Sequence, residues 1–420
     1  MSKLKIPKRE AIHQQAFYYL LLIQSFAFPL WKRITPIILS LIVLNWIMEF
    51  NFKSKTKLLI SENKLPNFFL FISIYVLYVI GLIYTSNFAY ASFDLEVKLT
   101  FLLIPVVFFS SDFSKFDKKS IIKVFISFIG GCFLSSILSM LHSYYLYQSN
   151  NTSFWFFYSS ASAFHHPSYI SMYLIFAMTI IVYLLINDLI KNRKLKYIFG
   201  LILIWFFIYV IMLSSKAGIF SLIIGIVFLL GYWIIKKRNY LISIIMIIIF
   251  ILSIALGANK IPLVTNRITS SFQALKSNKN DVNIEDGTVQ RMEIWKTSLD
   301  IIKDHFLIGV GTGDVKDELL AHYDKKGMTF AKANNLNAHG QFFQTFITLG
   351  FIGFLNLVLM FFIPLFQAIK KPNYIYLFFI IIVFINILVE SMFENQAGVV
   401  FYTFFNSFLF LSSKQLRDQQ

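Results

Sequence analysis

Apolar residues run on for about 17 to 28 positions at a time along most of this chain, long enough to cross a hydrocarbon core of roughly 30 Å as helices. The runs fall near residues 13–30, 34–50, 67–84, 95–110, 121–147, 168–187, 197–213, 217–235, 240–257, 341–369, 374–391 and 397–412. They predict an all-α polytopic membrane protein of about 12 transmembrane helices. The fourth run is the weakest, because Glu96 and Lys98 sit at its start. A content of 57% hydrophobic and 14% charged residues, with a mean hydropathy of +0.68, excludes a soluble globule and a disordered chain. No internal repeat is visible.

Charge supplies the orientation. The net charge of +17 is spread through short connections rather than gathered on one surface, so it does not point to nucleic acid. Taking alternate connections, one set holds 23 Lys and Arg, whereas the other holds only Lys32, Arg33, Lys98 and Lys216 outside one long loop. The positive-inside rule then places both termini in the cytoplasm. The exception, residues 258–340 between spans 9 and 10, carries 11 basic and 10 acidic residues and is expected to face the periplasm. Long loops are translocated regardless of charge. The chain thus divides into spans 1–9 over residues 1–257, the large loop over 258–340, and spans 10–12 with a short tail over 341–420. The first span could be mistaken for a signal peptide, with Ser25-Phe26-Ala27 as a poor cleavage site. The single cysteine, Cys132, allows neither an intrachain disulfide nor a cysteine metal cage.

Several polar positions stand out against this background. His339 ends the long loop, and Gly350 and Gly353 follow it by 11 and 14 residues. In a continuous helix those glycines lie on nearly one face below the histidine, where a neighbouring helix can approach closely. Two readings are open here: a functional histidine, or a membrane-surface histidine above an ordinary small-residue packing motif. Val289–Phe306 places Met292, Trp295, Leu299, Ile302 and Phe306 at helical spacing, which predicts an amphipathic helix on the membrane or the bundle. Glu390 and Glu394 are expected one helical turn apart at the outer end of the eleventh span, paired with Lys216 or an arginine, or forming a proton relay. His165-His166-Pro167 reads as interfacial or acceptor-facing rather than metal-binding, since adjacent side chains rarely converge on one ion. The tract 153–164 is apolar but short for a span, and reads as re-entrant or interfacial. The run 309–314, Gly-Val-Gly-Thr-Gly-Asp, follows a helix rather than a strand, so it is a turn and not a nucleotide fingerprint.

The segment from His339 through Gly350 and Gly353 resembles the signature of the O-antigen ligase and polymerase superfamily. Gly340 and Gln341 stand where that family usually has Asn directly after the histidine. Arg291 to Asp314 is similar to the family's Arg-x-x-x-Trp helix running into a Gly-x-Gly turn, and Arg267 resembles a second family arginine. Lys216 takes the place of an arginine in a Ser-Arg-Gly or Ser-Arg-Ala motif, keeping charge but losing the bidentate fork. The likeness covers roughly residues 165–400.

It implies an enzyme of the bacterial inner membrane that moves a glycan from a polyprenyl diphosphate carrier to an acceptor hydroxyl at the periplasmic side. Ligases, glycan polymerases and protein O-oligosaccharyltransferases share these motifs. The expected reaction is O-antigen ligation to lipid A-core, with a glycan polymerase as the nearest rival. A secondary transporter is the rival of another class, but it predicts two related halves that the sequence does not show. In the implied chemistry Arg291, Arg267 and Lys216 hold the departing diphosphate, and His339 takes the acceptor proton. Glu390, Glu394, Gly350 and Gly353 support them. Neither a metal nor a cofactor is expected, because the diphosphate is already a good leaving group. The partners expected are the lipid-linked donor, the acceptor glycan or hydroxyl, and membrane lipid, with no nucleic acid.

Overall fold

The computed structural model describes residues 8–60, 64–150, 152–237 and 287–416. Among these residues every regular element is helical. Arg267 and the ninth apolar run lie outside the described residues.

Six of the described helices are long and apolar enough to cross a membrane. A seventh is reached if Ile34–Met48 (α2) and Phe52–Ile60 (α3), bent by 108°, count as one broken span. The other expected spans are shorter or less apolar. The first run forms Lys8–Ala27 (α1), whose early turns carry charged and polar residues. The fourth divides at Leu99 into Phe88–Lys98 (α5) and Thr100–Phe109 (α6). The last two form Tyr374–Val389 (α15) and Gln396–Leu411 (α16), of 16 residues each, or about 24 Å. The described residues are those of an all-helical, polytopic membrane protein.

Its centre is Pro167–Ile186 (α8), buried along nearly its whole length. Around it pack Lys118–Asn150 (α7), Arg193–Leu213 (α9), Lys216–Lys237 (α10) and α15. Lipid tails are as apolar as leucine, so close packing and buried hydrogen bonds have to hold such helices together. Here aromatic rings interlock across α7, α8 and α16, with centroids 4.4 Å apart for Tyr173 and Phe401 and 4.9 Å for Phe128 and Phe405. Hydroxyls on α7 reach back to α1 and the turn after it: Ser127 donates to the Leu22 carbonyl at 2.7 Å, and Ser135 to that of Pro29 at 2.6 Å.

One end of the bundle gathers residues from distant parts of the chain. The Tyr84 hydroxyl, just past Leu65–Ile80 (α4), donates to the Ile308 carbonyl at 2.7 Å. The Asp314 carboxylate accepts from the backbone N–H groups of Ser86 and Asn87, the latter at 2.7 Å. Here the loop builds a second, smaller core from Ile294 and Ile301 of Gly287–Asp304 (α11), Val315 and Leu319 of Val315–Lys325 (α12), Ala331 of Thr329–Ala333 (α13) and Ile347 of Gln341–Lys370 (α14). The tract 153–164 is a short non-spanning segment, tied to α9 by the Tyr209 hydroxyl donating to the Ala161 carbonyl at 2.7 Å.

The amphipathic helix differs from its expected register. Its buried stripe is Ile294, Thr297, Ser298, Ile301 and Ile302, whereas Leu299 and Phe306 are exposed. Small polar residues fill the inner face because α11 lies against α14, where Thr297 and Ser298 return their hydroxyls to the carbonyls of Glu293 and Ile294.

Candidate active site

The turn that carries His339 is held from several directions. His339 has φ of 48°, in the left-handed region, which costs a non-glycine residue about 1–2 kcal/mol. Its N–H donates to the Asn337 side chain at 3.0 Å, and its carbonyl accepts from the Trp295 indole at 3.4 Å. On either side, the Ala338 N–H donates to Gln344 Oε1 at 3.1 Å and the Gly340 N–H to Ser391 Oγ at 3.2 Å. The Trp295 ring stacks on Phe343, with centroids 5.8 Å apart. These contacts fix an otherwise unfavourable backbone, as expected where geometry serves function.

One helical turn before Trp295 on the same helix, Arg291 donates from Nη2 to Glu390 Oε1 at 2.6 Å. Ser168 Oγ donates to that same oxygen at 3.3 Å and lies 3.2 Å from Ser215 Oγ. Ser168 is in the first turn of α8, and Ser215 directly precedes α10. Two helix N-termini and one guanidinium therefore meet around a carboxylate, a set of donors suited to an anion.

Two histidines share this electrostatic environment. Burial, and after it the Arg291 charge, holds the His339 imidazole below its ordinary value, with Glu390 opposing. His166 is lowered chiefly by burial, with Glu390 again opposing and Arg291 adding to the shift. Both rings are thus neutral near pH 7. His166 Nδ1 accepts from the Ser168 N–H at 3.4 Å as the cap of α8, so the ring proton sits on Nε2. His339 Nδ1 is buried, with no hydrogen-bond partner among the described residues. His165, next to His166 in the chain, is pushed down to about 4 by burial.

The structure therefore brings His339, Arg291 and Glu390 together. Lys216 opens α10 at the same end of the bundle, beside Ser215. Glu390 and Glu394 are not one turn apart on a helix: Glu390 is extended, and Glu394 lies in the short turn Met392–Glu394. They point to different partners, since Glu394 meets Lys98 at 3.0 Å and accepts from Gln341 Nε2 at 3.2 Å.

Gly350 and Gly353 also depart from expectation. The helix breaks at Gly350, with φ of 65° and ψ of −160°, so no continuous helical face joins it to His339. What approaches is a loop, not a helix: a Cβ at Gly350 would lie 2.3 Å from the Leu307 carbonyl oxygen. The break frees carbonyls that the loop then satisfies, Ile347 by the Val310 N–H at 2.9 Å and Thr348 by the Gly311 N–H at 3.0 Å. At Gly353 a Cβ would lie 2.3 Å from the Leu349 Cβ, so the break brings this glycine equally close to the turn before it. The 309–314 run is the turn that docks there, with positive φ at Gly309 and Gly311.

Sequence reasoning had no role for Lys98 or the Gln341 side chain. Lys98 did carry a signal, as a lone basic residue on the charge-poor side at the start of an apolar run.

A neutral, half-buried imidazole beside a guanidinium can accept a proton while the cation draws negative charge away from the opposite side of a reacting centre. No curated protein matches the chain. Residues 199–358 match the family model described as O-antigen ligase, a stretch that takes in Lys216, Arg267, Arg291, His339, Gly350 and Gly353. The match covers the segment that carries Arg291 and His339, and over it the chain is similar to the O-antigen ligase family.

Proposed function

We propose that this enzyme moves a glycan from a polyprenyl diphosphate carrier to an acceptor hydroxyl, and that it acts as an O-antigen ligase on lipid A-core. The observation that carries this reading is the meeting of Arg291, Glu390 and His339 at one end of the bundle. In the reaction, the acceptor O–H gives its proton to His339 as its oxygen bonds to the anomeric carbon. The bond from that carbon to the diphosphate oxygen breaks, and the diphosphate leaves with the electron pair. Arg291 trades the Glu390 carboxylate for phosphate oxygens, assisted by Lys216 and Arg267. Neither metal nor cofactor is needed in this scheme, so transfer should continue in excess chelator, and activity lost there but restored by a divalent ion would count against it. In the membrane, we place residues 258–340 in the periplasm and both termini in the cytoplasm, with twelve spans in the bacterial inner membrane.

Deleting the gene tests the assignment. Full-length chains retained on the lipid carrier support the ligase. Single repeats attached to the final acceptor would make the enzyme the glycan polymerase instead. Normal surface glycan with altered solute uptake would overturn both.

A further inference from the structure

We infer that Lys98, acting through Glu394 and Gln341, is a positioning device for His339; the inference rests on the glycosyl-transfer reading above. Lys98 is 1% exposed and sits with Asp94, its neighbour one turn earlier, and with Glu394 at 3.0 Å. Its ammonium also lies 4.6 Å from the centre of the Tyr78 ring. One buried cation between a buried and a partly buried carboxylate is a poor way to gain stability, since the desolvation of the charges rivals their attraction. Such groups are retained most understandably where they fix registry.

The contacts show what is registered. Glu394 uses one carboxylate oxygen for Lys98 and the other for Gln341. Gln341, fully buried two residues after His339, returns its carbonyl oxygen to the Phe393 N–H at 2.7 Å. Its amide is thus held at both ends by the 391–394 turn, which also anchors Gly340 through Ser391. That turn follows directly on Glu390, the partner of Arg291. A strut from α5 therefore joins the Trp295 contact in setting the spacing between the histidine and the arginine. The backbone carbonyl of Tyr78, whose ring lies by the Lys98 ammonium, accepts from the Thr312 hydroxyl at 2.6 Å, so the strut also abuts the loop docked at Gly350.

Gln341→Met is the first variant to test, because it cuts the strut and leaves the three charges in place. A misplacement of about 1 Å costs on the order of 10²-fold in rate, so kcat should fall about 10- to 100-fold with the KM for lipid-linked donor held within about twofold. Glu394→Gln keeps an oxygen that can accept from Gln341, so it should lose less than Glu394→Leu. The triple variant Asp94→Asn/Lys98→Met/Glu394→Gln removes all three charges with shape conserved. It should accumulate like wild type yet show the same fall in kcat.

A readout free of activity accompanies these. A cysteine at position 339 (His339→Cys) should react faster with an impermeant maleimide when combined with Gln341→Met. Wild-type kcat in Gln341→Met, a raised KM at unchanged kcat, or equal maleimide rates would overturn the inference. Absence of transfer by the wild-type protein would instead sink the functional reading, with the labelling comparison still deciding this one.

Discussion

At the scale of single residues the site depends on which charge each group faces. His339 is neutral because burial and Arg291 disfavour the imidazolium, while Glu390 favours it. The folded value lies below the ordinary histidine value of about 6.5, so the base form persists as pH falls through 6.5 and is lost only below it. The acid limb of kcat/KM should accordingly lie below 6.5. Glu390→Gln removes an anion that supports the proton, and should move that limb to lower pH. A limb that moved upward in the pH profile would break the link between Glu390 and His339. His339→Gln keeps size and hydrogen bonding but is not an effective base, so kcat should drop by about 10²- to 10⁴-fold. Near-normal turnover would leave the histidine as a positioning group for the acceptor. Arg291→Ala should abolish transfer at matched expression, and Arg291→Lys should restore only part, because an ammonium attracts phosphate without forking across two oxygens. Wild-type activity in Arg291→Ala would move the diphosphate assignment to Arg267 or Lys216.

At the scale of elements, what the sequence makes legible is the run of apolar residues, and what it hides is where a run is interrupted by contacts from far away. Helical periodicity passes through Gly350 without a signal, because the break is set by a loop some forty residues earlier whose N–H groups take the freed carbonyls. The same holds for α11: its period was readable, but its buried face was chosen by α14 and admits Thr297 and Ser298 in place of Leu299. Glu390 and Glu394 were visible as costly carboxylates, whereas their partners depended on the extended backbone between them. His339, Arg291 and the family spacing were legible because they lie in one short stretch of chain. Lys98 was not, since its partner Glu394 is nearly three hundred residues away. Gly350→Ala tests the docking of the loop. The added Cβ meets backbone at 2.3 Å in a conformation that disfavours side chains, a strain of about 1–3 kcal/mol before any displacement. Melting temperature in detergent and activity should both fall. Gly353→Ala, whose Cβ would lie 2.3 Å from the Leu349 Cβ, should lower the melting temperature as well. Wild-type stability and activity in Gly350→Ala would mean that the close approach does not sustain the break.

At the scale of the whole molecule, the contacts themselves sort the chain into two ends. Tyr183 and Gln415 tie residues near 113, 183 and 416 together at one end, through hydrogen bonds of 3.0 Å each. His13 and Asn45 pair at that end as well, close to the basic connections near 53–64 and 115–123. The opposite end holds His339, Arg291, Glu390 and the docked loop. Charge bias and contact pattern thus support the same reading, with the basic end in the cytoplasm and the site facing the periplasm. Lys191 and Lys325 are both exposed and belong to opposite ends, which makes them suitable reporters. The native Cys132 is buried and should stay silent. In cells whose outer membrane alone has been permeabilised, Lys325→Cys should react with an impermeant maleimide, and Lys191→Cys should react only after lysis. The reverse result would invert the orientation and move the proposed chemistry to the cytoplasmic face, where a periplasmic acceptor hydroxyl cannot reach it. Labelling of both before lysis would mean that the positive-inside count has been applied to the wrong set of connections, and with it the assignment of twelve spans would fail.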